Sequence, residues 1–130
     1  MIKYVLFVLA LAGACHYGAR YAKLDGSLKM IHEHRKEFWA PRANYYVAVV
    51  YDQQENYAKS QEAFSQLLTD YPTCQYVPRS LIYLSEAAEN NRDWETVKSA
   101  LNRYVDEFAQ GPDVNLARRR LDRVKYQHGP

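Results

Sequence analysis

The sequence predicts an all-α protein made of stacked helical hairpins, and three observations carry that reading. Sliding the chain by 37 residues lays Asn56-Tyr57 on Asp93-Trp94, Ala63-Phe64 on Ala100-Leu101, and Leu67 to Tyr71 on Tyr104 to Phe108. An internal echo of this length marks a repeat array. Within each copy apolar or small residues recur every three or four positions, which gathers them on one helix face. Only 5 Gly and 5 Pro serve the turns of 130 residues, too few for a many-stranded barrel or sandwich.

The first element reads as an address. Residues 1–15 are MIKYVLFVLALAGAC: Lys3 precedes an apolar stretch from Tyr4 to Leu11, followed by Ala12, Gly13 and Ala14. This is the order of a secretory signal peptide, so residues 1–14 are expected to be removed on export. The apolar run falls short of the about 20 residues that span a bilayer. Cys15 after a small-residue triplet resembles the lipobox of bacterial lipoproteins, with Ala12 where Leu is usual. The resemblance implies a lipidated Cys15. Ala12-Gly13-Ala14 equally suits ordinary cleavage, which would release a soluble periplasmic protein.

Residues 15–40 form the tether and an N-terminal helix. Tyr21, Leu24, Leu28, Ile31 and Phe38 make a helical stripe, weakened at Gly26 by about 1 kcal/mol relative to Ala. Residues 41–110 hold the two hairpins. Tyr45 to Tyr51 (YYVAVVY) has the propensity of a buried strand, but its counterpart 37 residues on, LIYLSEAA, is helical, and equivalent repeats share one structure. Pro41 and Pro78, also 37 apart, stand where each of these helices begins. Asn56 and Asp93 are N-caps of the second helices, which Tyr71-Pro72 and Gly111-Pro112 terminate. Residues 111–130 form a capping helix started by Asp113. Ala117, Leu121 and Val124 face inward, and Arg118, Arg119, Arg120, Arg123 and Lys125 occupy the other faces. That basic surface suits a solvated cap, or contact with anionic lipid.

Set against the tetratricopeptide pattern W-x2-L-G-x2-Y…A-x3-F…P, the first copy supplies Val47-Ala48, Tyr51, Ser60, Phe64 and Pro72, with Asn44 in place of Trp. The second supplies Leu81, Leu84-Ser85, Ala88, Val97 and Leu101, with Ala109 in place of Pro. Residues 41–110 thus resemble a pair of TPR hairpins. In that family the first helix of each pair lines a groove that receives peptides. The resemblance implies a groove of Arg42, Tyr45, Val49 and Asp52 beside Arg79, Ile82, Glu86 and Glu89. A leader ending in Cys, followed by Asn56-Tyr57, Phe64, Leu67-Leu68 and Tyr71-Pro72, is similar to the BamD-like TPR lipoproteins of the outer membrane, which scaffold an assembly machine.

Chemistry-bearing motifs are absent from the sequence: there is no Gly-rich phosphate loop, no G-x-S-x-G and no H-E-x-x-H. His32 and His34 point about 160° apart on a helix and share no metal, so they are expected to be solvated. Cys74 is expected to be a partly buried free thiol, with a bridge to Cys15 as the alternative. With 17 Lys and Arg against 15 Asp and Glu, the charge of +2 is too even for bulk attraction to nucleic acid. The expectation is a non-enzymatic scaffold without cofactor, metal or small-molecule substrate. Its partners would be other envelope proteins bound in the groove, and the membrane through the lipid. A permanent structural subunit of a secretion, pilus or other envelope machine, with the basic helix at the membrane surface, is the alternative.

Overall fold

The computed structural model describes the backbone of residues 1–21, 24 and 26–129, and the side chains of these except 15–21. The described residues form α1 (Ile2–Tyr21), α2 (Ser27–Glu33), α3 (Ala40–Gln53), α4 (Tyr57–Asp70), α5 (Val77–Asn90), α6 (Trp94–Glu107) and α7 (Val114–His128), with no strand among them. Each helix from α2 onward packs mainly on its neighbours in the chain, so α3–α4 and α5–α6 are packed hairpins.

The 37-residue period runs further than the sequence comparison indicated. Helices α3, α5 and α7 start 37 residues apart, as do α4 and α6. Helix α2 matches in register the last two turns of α4 and α6. The connectors repeat as well. Glu37, Cys74 and Gly111 donate backbone bonds to His34, Tyr71 and Phe108, and Ala40, Val77 and Val114 donate to Glu37, Cys74 and Gly111. Helix α7 is therefore the first helix of a third unit. Where Leu81 is buried in α5, α7 carries the exposed Arg118.

The strand-like run Tyr45–Tyr51 is helical. Its buried residues Tyr45, Ala48 and Tyr51, with Asn44 just before them, follow a helical spacing, while Tyr46 is 56% exposed. Burial of one helix face against α4 outweighs the β propensity of Val and Tyr. Asn56 and Asp93 cap α4 and α6 as expected, accepting from the backbone N–H of Lys59 and Thr96. Asp113 stands at the start of α7 without a side-chain capping bond; its own N–H donates to the Tyr104 hydroxyl at 3.2 Å. Glu55 and Arg92, 37 residues apart, end α3 and α5 with positive φ of 59° and 57°. Glycine is the usual occupant of that conformation.

The core runs through the hairpins without interruption, from Tyr45, Ala48 and Phe64 through Leu67, Leu81 and Leu84 to Leu101, Tyr104, Leu121 and Val124. Full burial of each Leu or Phe contributes about 1.5–3 kcal/mol. The N-terminal stripe departs from expectation. Gly26, at φ 78°, starts α2, the helix stops at Glu33, and Leu28 and Ile31 are buried while Phe38 is 94% exposed. Of the remaining stripe residues, Leu24 packs against the core and the side chain of Tyr21 lies outside the described residues. Along α1 the apolar side chains from Tyr4 to Leu11 are exposed, and none of its described side chains joins the core. The side chain of Cys15 lies outside the described residues. Among the described residues no helix is long and apolar enough to cross a membrane.

Candidate functional site

Because α3, α5 and α7 share one register, equivalent residues on them recur side by side. Arg42, Arg79 and Leu116 occupy one position, and Val49, Glu86 and Arg123 another. Rings from both hairpins bind this surface together. Tyr45 stacks on Tyr76 with centroids 4.7 Å apart, and Phe64 stacks on Tyr83 at 5.3 Å. Tyr45 meets Tyr83 and Phe64 edge-on, at 6.4 and 6.2 Å. Such pairs add about 0.5–1.5 kcal/mol each beyond burial and fix the two helices relative to one another.

Tyr45, expected in the groove, is 8% exposed and belongs to the core; burial raises the pKa of its hydroxyl, partly opposed by Arg79. Adjacent residues on a helix differ by about 100°, so Tyr46 takes the open position instead. Tyr46, Phe38 and Trp39 were not singled out as binding residues from the sequence. The 37-residue spacing that relates Trp39 to Tyr76 is the signal that could have found one of them.

The other expected groove residues lie along this surface at graded depth. Arg42 and Arg79 are exposed; Val49, Asp52 and Ile82 are half-buried. Arg42 Nε donates to the Tyr76 hydroxyl at 3.4 Å, which raises the arginine pKa further. Arg79 makes no hydrogen bond or ion pair among the described residues. Two cavities open beside these arginines. One, of about 400 Å³, is lined by Phe38, Trp39, Arg42, Gln75 and Tyr76. The other, of about 420 Å³, is lined by Arg79, Ile82, Tyr83, Glu86, Asp113 and Leu116. Each places an arginine of one first helix against the connector entering the next, so the two are repeats of one arrangement.

Ten residues along α3 from Arg42, the charge reverses. Asp52 is half-buried with no ion-pair partner among the described residues, and burial raises its pKa. Desolvation raises Glu86 as well, against the opposing pull of Arg120. Here two sets of residues expected to act apart come together. Arg120 contacts Glu86 at 3.5 Å and Glu89 at 2.8 Å, and Arg123 contacts Glu89 at 3.2 Å. Arg120, whose side chain is only 12% exposed, is thereby withdrawn from the expected basic membrane surface. Arg118, Arg119 and Lys125 remain exposed on α7.

His32 does more than face solvent. Its Nδ1 lies 2.8 Å from the Asp70 carboxylate and fastens α2 to the end of α4, assisted by Gln66 Nε2 donating to the Leu28 carbonyl at 3.0 Å. His34 Nδ1 bonds the Met30 carbonyl of its own helix. Cys74 is a half-buried free thiol. Among the described residues no group of three metal-ligating side chains gathers. The shared surface of α3, α5 and α7 is therefore aromatic, with exposed arginines at one rim and carboxylates, some of them paired with Arg120 and Arg123, at the other. Comparison of the chain with family models, with curated proteins and with solved structures gives no match in any of the three.

Proposed function

We propose that this protein is a non-enzymatic, TPR-like adaptor of the bacterial cell envelope, akin to the BamD-like lipoproteins. The leader 1–14 exports it, and a lipid on Cys15 holds it at the periplasmic side of the outer membrane. The shared face of α3, α5 and α7 binds a segment of another envelope protein. One observation carries this reading: three first helices recur at 37-residue intervals and set residues of the same repeat position side by side on one surface. A surface of that kind serves recognition, because it offers arginine and aromatic anchors beside open cavities. The exposure of the apolar side chains from Tyr4 to Leu11, outside the core, supports a removable leader over residues 1–14.

Photoreactive residues at Tyr46 and Ile82, crosslinked in native membranes and analysed by mass spectrometry, test the adaptor role. The expected result is one envelope protein recovered from both positions and not from Lys125 on α7. Recovery of no protein from either position removes the groove. Labelled palmitate incorporated by the wild type and lost in Cys15→Ala tests the anchor; label that survives the substitution overturns it.

A further inference from the structure

We infer that the face of α3 and α5 selects a bipolar peptide segment: extended, with an acidic side chain for Arg42 and Arg79, an apolar or aromatic one for the cavity at Ile82 and Tyr83, and a basic one for Asp52 and Glu86. The inference rests on the adaptor reading and gives its partner a chemistry.

Charge complementarity is the argument. Arg42 and Arg79 sit at the same position of successive repeats, both exposed, and neither has a carboxylate partner among the described residues. An incoming carboxylate at either arginine accepts charge-assisted hydrogen bonds that no carboxylate of the described residues supplies. At the far end Asp52 also lacks a partner, although it is half-buried, and Glu86 beside it keeps only the longer of the Arg120 contacts. An ammonium or guanidinium placed there compensates the half-buried Asp52 carboxylate and the more exposed Glu86 carboxylate next to it.

The geometry also sets the spacing. Ten helical residues separate Arg42 from Asp52, a rise of about 15 Å. An extended chain covers that distance in four to five residues, at about 3.3 Å each. The cavity between α5 and α7, where Ile82, Tyr83 and Leu116 lie among Arg79, Glu86 and Asp113, takes a side chain from the middle of such a segment.

Three labelled peptides test this by fluorescence polarisation on the full chain at low and high salt. They are acetyl-Glu-Glu-Phe-Ala-Ser-Lys-Lys-amide and the versions in which all four charges are acidic or all are basic. The wild type is expected to bind the bipolar peptide about tenfold more tightly than either control, with the preference shrinking in salt. Arg79→Glu should transfer the preference to the all-basic peptide, and Asp52→Lys to the all-acidic one. Neither side chain has a bond to lose, and circular dichroism verifies the fold of each variant. Equal affinity for the three peptides, or a preference unmoved by both substitutions, overturns the bipolar assignment. If all three peptides crosslink to Ile82 without charge preference, the groove stands and the assignment falls. If no peptide binds and Ile82 captures nothing in membranes, both fall.

Discussion

The two hairpins share a backbone plan and hold it with different chemistry. Between α3 and α4, Asn44 is fully buried; its Nδ2 donates to the Ala63 carbonyl at 2.8 Å, and its Oδ1 accepts from Gln66 Nε2 at 3.1 Å. Ser60 Oγ donates to the Ala48 carbonyl at 3.2 Å. Between α5 and α6, Leu81 and Val97 stand at the corresponding positions, both buried. One helix crossing is therefore tied by hydrogen bonds and the other filled by apolar packing. The polar solution works because every group in it is satisfied, and a half-satisfied version would be worse than the apolar one.

The ends of the hairpins differ by a compensated exchange. Leu67 and Cys74 in the first become Tyr104 and Gly111 in the second. A Cβ built on Gly111 would lie 2.6 Å from the Tyr104 hydroxyl oxygen and 3.0 Å from the Phe108 carbonyl. The larger ring thus requires the missing side chain, and its hydroxyl gains the N–H of Asp113 at 3.2 Å. Gly111→Ala should destabilise the second hairpin by about 3 kcal/mol, less what alanine gains by restricting the unfolded chain. The double variant Tyr104→Leu/Gly111→Cys, which copies the first hairpin, should recover most of that loss. Trp39 at the start of α3 and Trp94 at the start of α6 report the hairpins separately in urea titrations. A midpoint that Gly111→Ala leaves unchanged would show that the exchange is not compensated.

The crossing itself gives the next effect. Asn44→Ala should cost about 2 kcal/mol, because it removes both bonds of a buried amide and leaves a space in the crossing, while Gln66 keeps its bond to the Leu28 carbonyl. Replacing both polar residues, Asn44→Leu with Ser60→Val, should cost far less than Asn44→Ala alone, since it transplants the apolar solution. If the double variant is as damaged as the single, the two crossings are not equivalent in shape.

These contrasts separate what was legible in the sequence from what was not. The caps and hairpins were legible because their causes are local: Asn56 and Asp93 each act on an N–H three residues away. The helical state of Tyr45–Tyr51 was legible only through its partner 37 residues on, since its own propensity points to a strand. The extent of α2 was not, because Gly26 opens it in a left-handed conformation and the stripe beyond Ile31 continues in the sequence after the helix has ended. Whether Tyr45 or Tyr46 faces the groove depends on the rotational phase of α3, which packing against α4 decides. The pairing of Arg120 and Arg123 with Glu89 joins residues more than 30 apart in the chain, and nothing local announces it.

The smallest effect comes from the caps and carries a sign. Asn56 accepts one backbone bond, from Lys59 at 3.3 Å. The Asp93 carboxylate accepts from Thr96 Oγ1 at 2.6 Å, from Gln61 Nε2 at 2.5 Å and from the Thr96 N–H at 3.3 Å. The Thr96 hydroxyl is the main cause of a pKa held below the usual Asp value; burial opposes it, and Gln61 and the Thr96 backbone bond add smaller pulls downward. A carboxylate depressed in the folded state adds stability that is complete above its unfolded pKa of about 3.9 and is lost as pH falls through the folded value. Near pH 7 Asn56→Ala and Asp93→Ala should each cost about 1 kcal/mol, Asp93 the more because its charge also faces the N-terminus of α6. On acidification well below pH 3.9 the Asp93→Ala penalty should shrink while that of Asn56→Ala stays constant, because an amide does not titrate. Urea midpoints of both variants at the two pH values decide it. An Asp93→Ala penalty undiminished in acid would mean that α6 is capped by geometry alone, as α4 is, and that the charge contributes nothing.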